Sequence, residues 1–77
     1  LVQAQEGERC KVTDPTGMPL NMRTKPNGKI IGTLANNTYV SILEHAPDAN
    51  GKPWVRVAYA ETKQPIGWVF REFLSCF

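Results

Sequence analysis

The stretch Trp54-Val55-Arg56-Val57-Ala58-Tyr59 decides the fold. Its side chains alternate, with Val55, Val57 and Tyr59 on one face and Trp54, Arg56 and Ala58 on the other. A period of two marks a strand, because successive Cβ atoms of an extended chain point to opposite faces. The valines, stiff at χ1, pack well on a pleated surface. Pro53 before the stretch and the polar run from Glu61 to Pro65 after it close the strand at both ends.

Working back from there, Tyr39-Val40-Ser41-Ile42-Leu43-Glu44 repeats the pattern, with Val40 and Ile42 sharing a face and Tyr39 opposite them. Between these two strands, His45 to Lys52 carries Pro47, Asp48, Asn50 and Gly51 and is expected to be an exposed loop. Ile30-Ile31-Gly32-Thr33-Leu34 reads as a strand in which Gly32 marks a bulge or a close approach. Lys25-Pro26-Asn27-Gly28 is a turn: Pro26 presets φ, and Asn27-Gly28 tolerates positive φ. Leu20-Asn21-Met22-Arg23 and Cys10-Lys11-Val12-Thr13 are two further short strands. Working forward, Ile66-Gly67-Trp68-Val69-Phe70 is the last long strand, and Arg71-Glu72-Phe73-Leu74 suits a single helical turn. No apolar stripe of helical period runs over ten residues or more. Turn signals recur about every eight to twelve residues, the spacing of a small all-β barrel or sandwich. Five to six short strands have few ways to hide their edges, and curling into a barrel removes most of them.

Size and charge narrow the function. A 77-residue chain makes one small domain, and a chain this short buries only about 60% of its surface on folding. Nine basic and seven acidic side chains give a net charge of +2, too balanced and scattered for an electrostatically driven nucleic-acid binder. There is no apolar run of about 18 residues, so no spanning helix is expected. A 42% apolar content is too high for a disordered chain. Little wall remains for a deep catalytic pocket, which leaves a compact binding or structural module. Residues 1–8 lack periodicity and read as a disordered tail left by signal-peptide removal, with small Ala4 suiting a cleavage site; the domain is then 9–77.

Cys10 and Cys76 fit no CxxC spacing, and a single His45 cannot complete a four-ligand metal site. They read as a disulfide tying adjacent termini, the alternative being two reduced thiols packed as small core residues. A loop of that length constrains the unfolded chain by about 4 kcal/mol. A bridge places the protein in an oxidising compartment, secreted or periplasmic. Asn36-Asn37-Thr38 reads as a polar turn rather than a glycosylation acceptor.

In order along the chain stand Leu20-Asn21-Met22-Arg23, Pro26, Ile31-Gly32-Thr33-Leu34, Val40-Ser41-Ile42-Leu43, Trp54-Val55-Arg56-Val57, Gly67-Trp68-Val69 and Phe73-Leu74. This series resembles the bacterial SH3 (SH3b) family over roughly residues 10 to 76. The resemblance implies an SH3-like barrel, usually exported, that binds cell-wall peptides or envelope partners. Cys10 and Cys76 are not part of the general family pattern. By position, Trp54 resembles the residue that walls the ligand groove of eukaryotic SH3 domains, and Phe73 resembles the Tyr of the turn after the last long strand. Trp54, turned away from Val55 and Val57, is expected to face partly outward beside Phe73, the alternative being that it covers one end of the barrel; Tyr39 either extends the platform or is an ordinary cross-strand partner. The expected ligand is a short peptide or a peptidoglycan stem.

The competing reading is a small envelope subunit that binds another folded protein through an apolar patch of Phe70 and Phe77. Trp68 is expected in the core or at the barrel rim. Arg23, Lys25, Lys29, Lys52, Arg56, Lys63 and Arg71 read as a solvated surface, since no aromatics interleave with them. His45 has no serine or free cysteine near it in the pattern, and the spacing of Glu44, Asp48, Glu61 and Glu72 demands no carboxylate pair. The sequence therefore implies a monomeric, non-catalytic module with no cofactor, no metal and no nucleic-acid partner.

Overall fold

Short alternating strands must bury one face against something, and here they bury it against each other. The computed structural model describes residues 8–76; all but the last residue of the expected 1–8 tail, and Phe77 of the expected patch, lie outside them. Seven strands are present: β1 (Arg9–Val12), β2 (Leu20–Arg23), β3 (Ile30–Leu34), β4 (Tyr39–Pro47), β5 (Pro53–Tyr59), β6 (Pro65–Phe70) and β7 (Leu74–Cys76). A single 3₁₀ turn, Arg71–Phe73, joins β6 to β7. All pairs are antiparallel, in the order β3-β2-β6-β5-β4-β1-β7.

The sheet curls until the inward residues of every strand meet in one cluster. Cys10 and Val12 of β1, Leu20 of β2, Leu34 of β3, Val40 and Ile42 of β4, Val55 and Val57 of β5, Val69 of β6 and Leu74 of β7 form that core. No polar or charged residue is buried as a whole among the described residues, although one carboxylate oxygen, Glu8 Oε1, is shielded from solvent without a hydrogen-bond partner. The chain is thus an all-β, SH3-like domain. Its curl is not sealed by a ladder: β3 and β7 end the sheet without pairing to each other. Ile30 and Ile31 of edge strand β3 are correspondingly exposed.

Cys10 and Cys76 stand directly opposite each other in the β1–β7 register and are joined by a disulfide. The first and last described strands are therefore neighbours, as the barrel reading required. Gly32 is a close-approach point, where an added Cβ would lie 3.0 Å from the Met22 Cε. Asn27 takes a φ of 55°, the left-handed conformation that an Asn-Gly turn supplies.

Two expectations need correction. The strand count is seven, not five to six, because the chain regains an extended conformation at Leu74 after the 3₁₀ turn and pairs with β1. Three residues are too few to show an alternation in sequence. The expected loop from His45 to Lys52 is also shorter, since β4 continues to Pro47 and pairs His45 with Val55 and Ala46 with Trp54. Only the turn at 48–52 remains. There Asp48 Oδ1 accepts the backbone N–H groups of Asn50 (2.8 Å) and Lys52 (3.0 Å).

Candidate ligand groove

Trp54 is not an outward-facing platform. It is 7% exposed, and its indole Nε1–H donates to Asp48 Oδ2 at 2.9 Å. The 48–52 turn supplies that partner, so the long β4–β5 hairpin covers the face that strand alternation leaves open. The indole N–H holds the Asp48 carboxyl below its ordinary value, helped by the Lys52 and Asn50 backbone N–H groups and the Lys52 charge and opposed by desolvation.

What Trp54 does present is one edge of an aromatic row. Its ring meets Phe70 edge-on, with centroids 5.4 Å apart, and Phe70 meets Phe73 edge-on at 5.2 Å. The Trp54–Phe70 contact follows from register, because the two residues are directly opposed in the β5–β6 ladder. Phe73 is placed by the 3₁₀ turn, and its carbonyl accepts the Thr13 N–H at 2.9 Å. The guanidinium of Arg23 lies over the Trp54 ring, 5.6 Å from its centroid, while Arg23 Nη1 donates to the Gly28 carbonyl at 2.8 Å.

These groups line one open groove of about 290 Å³, together with Asp14, Pro19, Leu20, Asn21 and Asn27. The lining holds one cation, Arg23, and one carboxylate, Asp14. Asp14 is fixed by its Oδ1, which accepts the Thr16 N–H (2.8 Å) and hydroxyl (2.6 Å), and by its own N–H, which donates to Asn36 Oδ1 (2.7 Å). The groove thus offers a partly apolar wall and both signs of charge.

Trp54 and Phe73 therefore share a groove, as the sequence suggested, although Trp54 enters it from a buried position. Tyr39 does not join them. It lines a separate depression with Arg9, Asn37, Thr38, Tyr59, Ala60, Glu61 and Thr62. Phe70, assigned by sequence to a separate patch, stands between Trp54 and Phe73 in the groove. The signal that could have found it was the Trp54/Phe70 cross-strand pairing, which needs the β5–β6 register and not the sequence of either strand alone. Arg23, Asn27 and Asp14 were likewise missed as lining residues. Trp68 is half-buried on β6, opposite Arg56 of β5 and Arg23 of β2.

His45 is exposed on β4, and Glu44 is engaged by Arg56, whose Nε lies 2.8 Å from Glu44 Oε1. Among the described residues, one group of acidic and sulfur side chains converges, Glu8 with Cys10 and Cys76. Both of its sulfurs are taken up by the disulfide, which leaves no thiolate to act as a ligand.

The family model of the bacterial SH3 domain matches residues 19–75. This chain belongs to that family, whose domains are in general non-catalytic modules that bind peptides or cell-wall components. The match takes in the whole aromatic row and Arg23, while β1 and both cysteines lie outside it. Neither the curated proteins nor the solved structures contain a match to the chain. The disulfide and the family are compatible with an extracytoplasmic location. No helix among the described residues is long and apolar enough to cross a membrane.

Proposed function

We propose that this domain is a binding module of the cell envelope that takes a short extended peptide, of the peptidoglycan-stem class, in the groove of Trp54, Phe70 and Phe73. The observation that carries the reading is the continuous edge-to-face aromatic row opening on a groove that also holds Arg23 and Asp14. Stem peptides are short, built largely from small residues, and carry free carboxylates and an amine. Arg23 suits the carboxylates, and it is already held in place over the Trp54 ring, so binding costs it less side-chain entropy. Asp14, fixed by Thr16 and Asn36, suits the amine. The aromatic edges supply the apolar contact that keeps the peptide against the sheet. The disulfide supports an envelope setting, secreted or periplasmic.

Tryptophan fluorescence titration with purified muropeptides tests this, with Trp54 in the groove as reporter. Phe73→Ala removes one wall from a half-buried position and is expected to weaken binding about tenfold, the worth of one aromatic contact. Arg23→Gln is expected to weaken it selectively for stems with free carboxylates. Wild-type protein that is not retained on insoluble peptidoglycan and shows no spectral change with muropeptides would overturn the proposal.

A further inference from the structure

The depression around Tyr39 lies outside the groove and has the composition of a site in its own right. Tyr39 and Tyr59 are two of the few large apolar side chains left exposed, at 42% and 38%. Both line an open depression of about 370 Å³ whose remaining lining is polar apart from Ala60, with Arg9, Asn37, Thr38 and Glu61 among it. We propose that this depression is a second binding site, one that takes an uncharged hexopyranose ring. It does not rest on the peptide groove, and either site can fail without the other.

The chemistry of the lining points to a sugar. A pyranose offers a C–H face to an aromatic ring and a rim of hydroxyls that both donate and accept. Tyr59 supplies the aromatic face, since the guanidinium of Arg9 already lies over Tyr39, 4.9 Å from its centroid. Around it stand a donor (Arg9), an acceptor (Glu61) and groups that do both (the Asn37 amide and the Thr38 hydroxyl). The two charges cancel, which favours a neutral ligand over an anion or a cation. A purely apolar ligand would leave these polar groups without partners.

The walls are also set in advance. Asn37 N–H donates to the Val12 carbonyl at 2.8 Å, and the Thr38 carbonyl accepts the Val12 N–H at 3.0 Å, tying one lip to β1. Ala60 N–H donates to the Tyr39 carbonyl at 3.2 Å and Lys63 N–H to the Tyr59 carbonyl at 2.8 Å, tying the other. Asn37 and Lys63 take φ values of 73° and 66°. For Lys63 this left-handed conformation costs free energy, and the bond from its N–H to the Tyr59 carbonyl holds the turn in it. Rigid walls reduce the ordering cost that makes weak polar ligands hard to bind.

Amide shift mapping of the intact protein with chitotriose and with cellotriose tests the site. The first probe stands for N-acetylated wall glycan and the second for unsubstituted polysaccharide, so the preferred one names the source. Expected are shifts confined to Asn37, Thr38, Tyr39, Tyr59, Ala60 and Glu61. Tyr59→Ala should weaken binding about tenfold, while Phe73→Ala leaves it unchanged. Should Tyr59→Ala disturb folding, Glu61→Gln, on an exposed turn, is expected to weaken sugar binding with the fold intact. Absence of shifts with both trisaccharides at millimolar concentration, shifts mapping to the Phe73 groove, or equal losses in the Tyr59 and Phe73 variants would each overturn the assignment.

Discussion

Reducing the Cys10–Cys76 bridge should remove much of the domain's stability, and remove it first at the Phe73 wall of the groove. The bridge spans a sequence separation of 66 residues. In the chain-entropy relation a loop of that length is worth about 4 kcal/mol at 25 °C. A chain of 77 residues has a typical total stability of only roughly 4 to 11 kcal/mol. The staple is therefore comparable with everything else that holds the fold together, and a domain of this size should melt about 15–30 °C lower without it. The loss is not uniform in space. β7 is three residues long, ends the sheet and pairs only with β1. Once the sulfur link is gone, it is retained by that ladder, the packing of Leu74, the Thr13–Ser75 hydroxyl hydrogen bond (2.8 Å) and the bond that Arg71 Nη1 donates to the Leu74 carbonyl (3.3 Å). Phe73 immediately precedes it and would loosen with it. The assay is urea unfolding of the protein with and without a phosphine reductant, compared with a Cys10→Ala/Cys76→Ala double variant. The double variant controls for effects of the reductant itself. A loss below about 1 kcal/mol in both would refute the reasoning, because the closed loop would then not be limiting the unfolded ensemble.

Gly67 has a φ of 144°, and an added Cβ would lie 3.0 Å from the Arg23 carbonyl oxygen, so Gly67→Ala should cost about 1–3 kcal/mol in urea unfolding. The strain falls on β2, and peptide affinity should drop along with stability. The depressed pKa of Asp48 makes its stabilisation fully present above the ordinary carboxylate value and lost as pH falls through the lower folded-state value. Asp48→Asn should therefore be less stable than wild type at neutral pH, and the gap should narrow as pH falls below the ordinary carboxylate range; a gap that stays constant through acid would show that the indole contact is not governed by the charge. Glu44→Gln breaks an ion pair whose partners are 47% and 38% exposed, and should change stability by less than about 1 kcal/mol in the same unfolding assay.

The strands were legible in the sequence because their signal is local. Val55 and Val57, Val40 and Ile42, and Leu20 all fall on the buried face that alternation assigns to them. The pairing of Cys10 with Cys76 was legible too, since a strand at each end of a small barrel leaves two cysteines little alternative to meeting. Alternation failed at Trp54 and Ala58, which lie on the face opposite the valines yet are buried. At Ala58 the register shifts between Val57 and Ala58, and such a bulge breaks the period of two. At Trp54 the cause is the turn at 48–52, whose carboxylate reaches back to the indole. Neither event has a signature in a single strand. The groove was half legible for the same reason. Trp54 and Phe73 could be named from the family resemblance, but Phe70 needed the β5–β6 register and Arg23 the β2–β6 pairing. Tyr39 was placed wrongly with them because strand alternation says which face a residue takes, not which end of a curled sheet that face occupies.

The positions of the staple and the aromatic row suggest that the groove has two walls of different durability. Trp54 is anchored within the β4–β5 hairpin, through Asp48 and through its pairing with Phe70, and none of these contacts involves the chain ends. Phe73 is anchored by the Thr13 N–H and by the edge-to-face contact with Phe70, and its neighbours β1 and β7 are the strands that the bridge joins. The family match includes the first wall entirely, whereas β1 and both cysteines, which brace the second, lie outside it. The barrel can then hold the Trp54 side of the groove by hairpin packing alone, while the Phe73 side depends on an oxidised bridge. In mild reductant, below the concentration that unfolds the domain, the Trp54 indole proton should stay protected from exchange while amide protection at Leu74 to Cys76 falls. Muropeptide affinity should fall with the β7 amides and not with the indole. If affinity instead follows the indole proton, the bridge acts only through global stability, and the two walls are one cooperative unit.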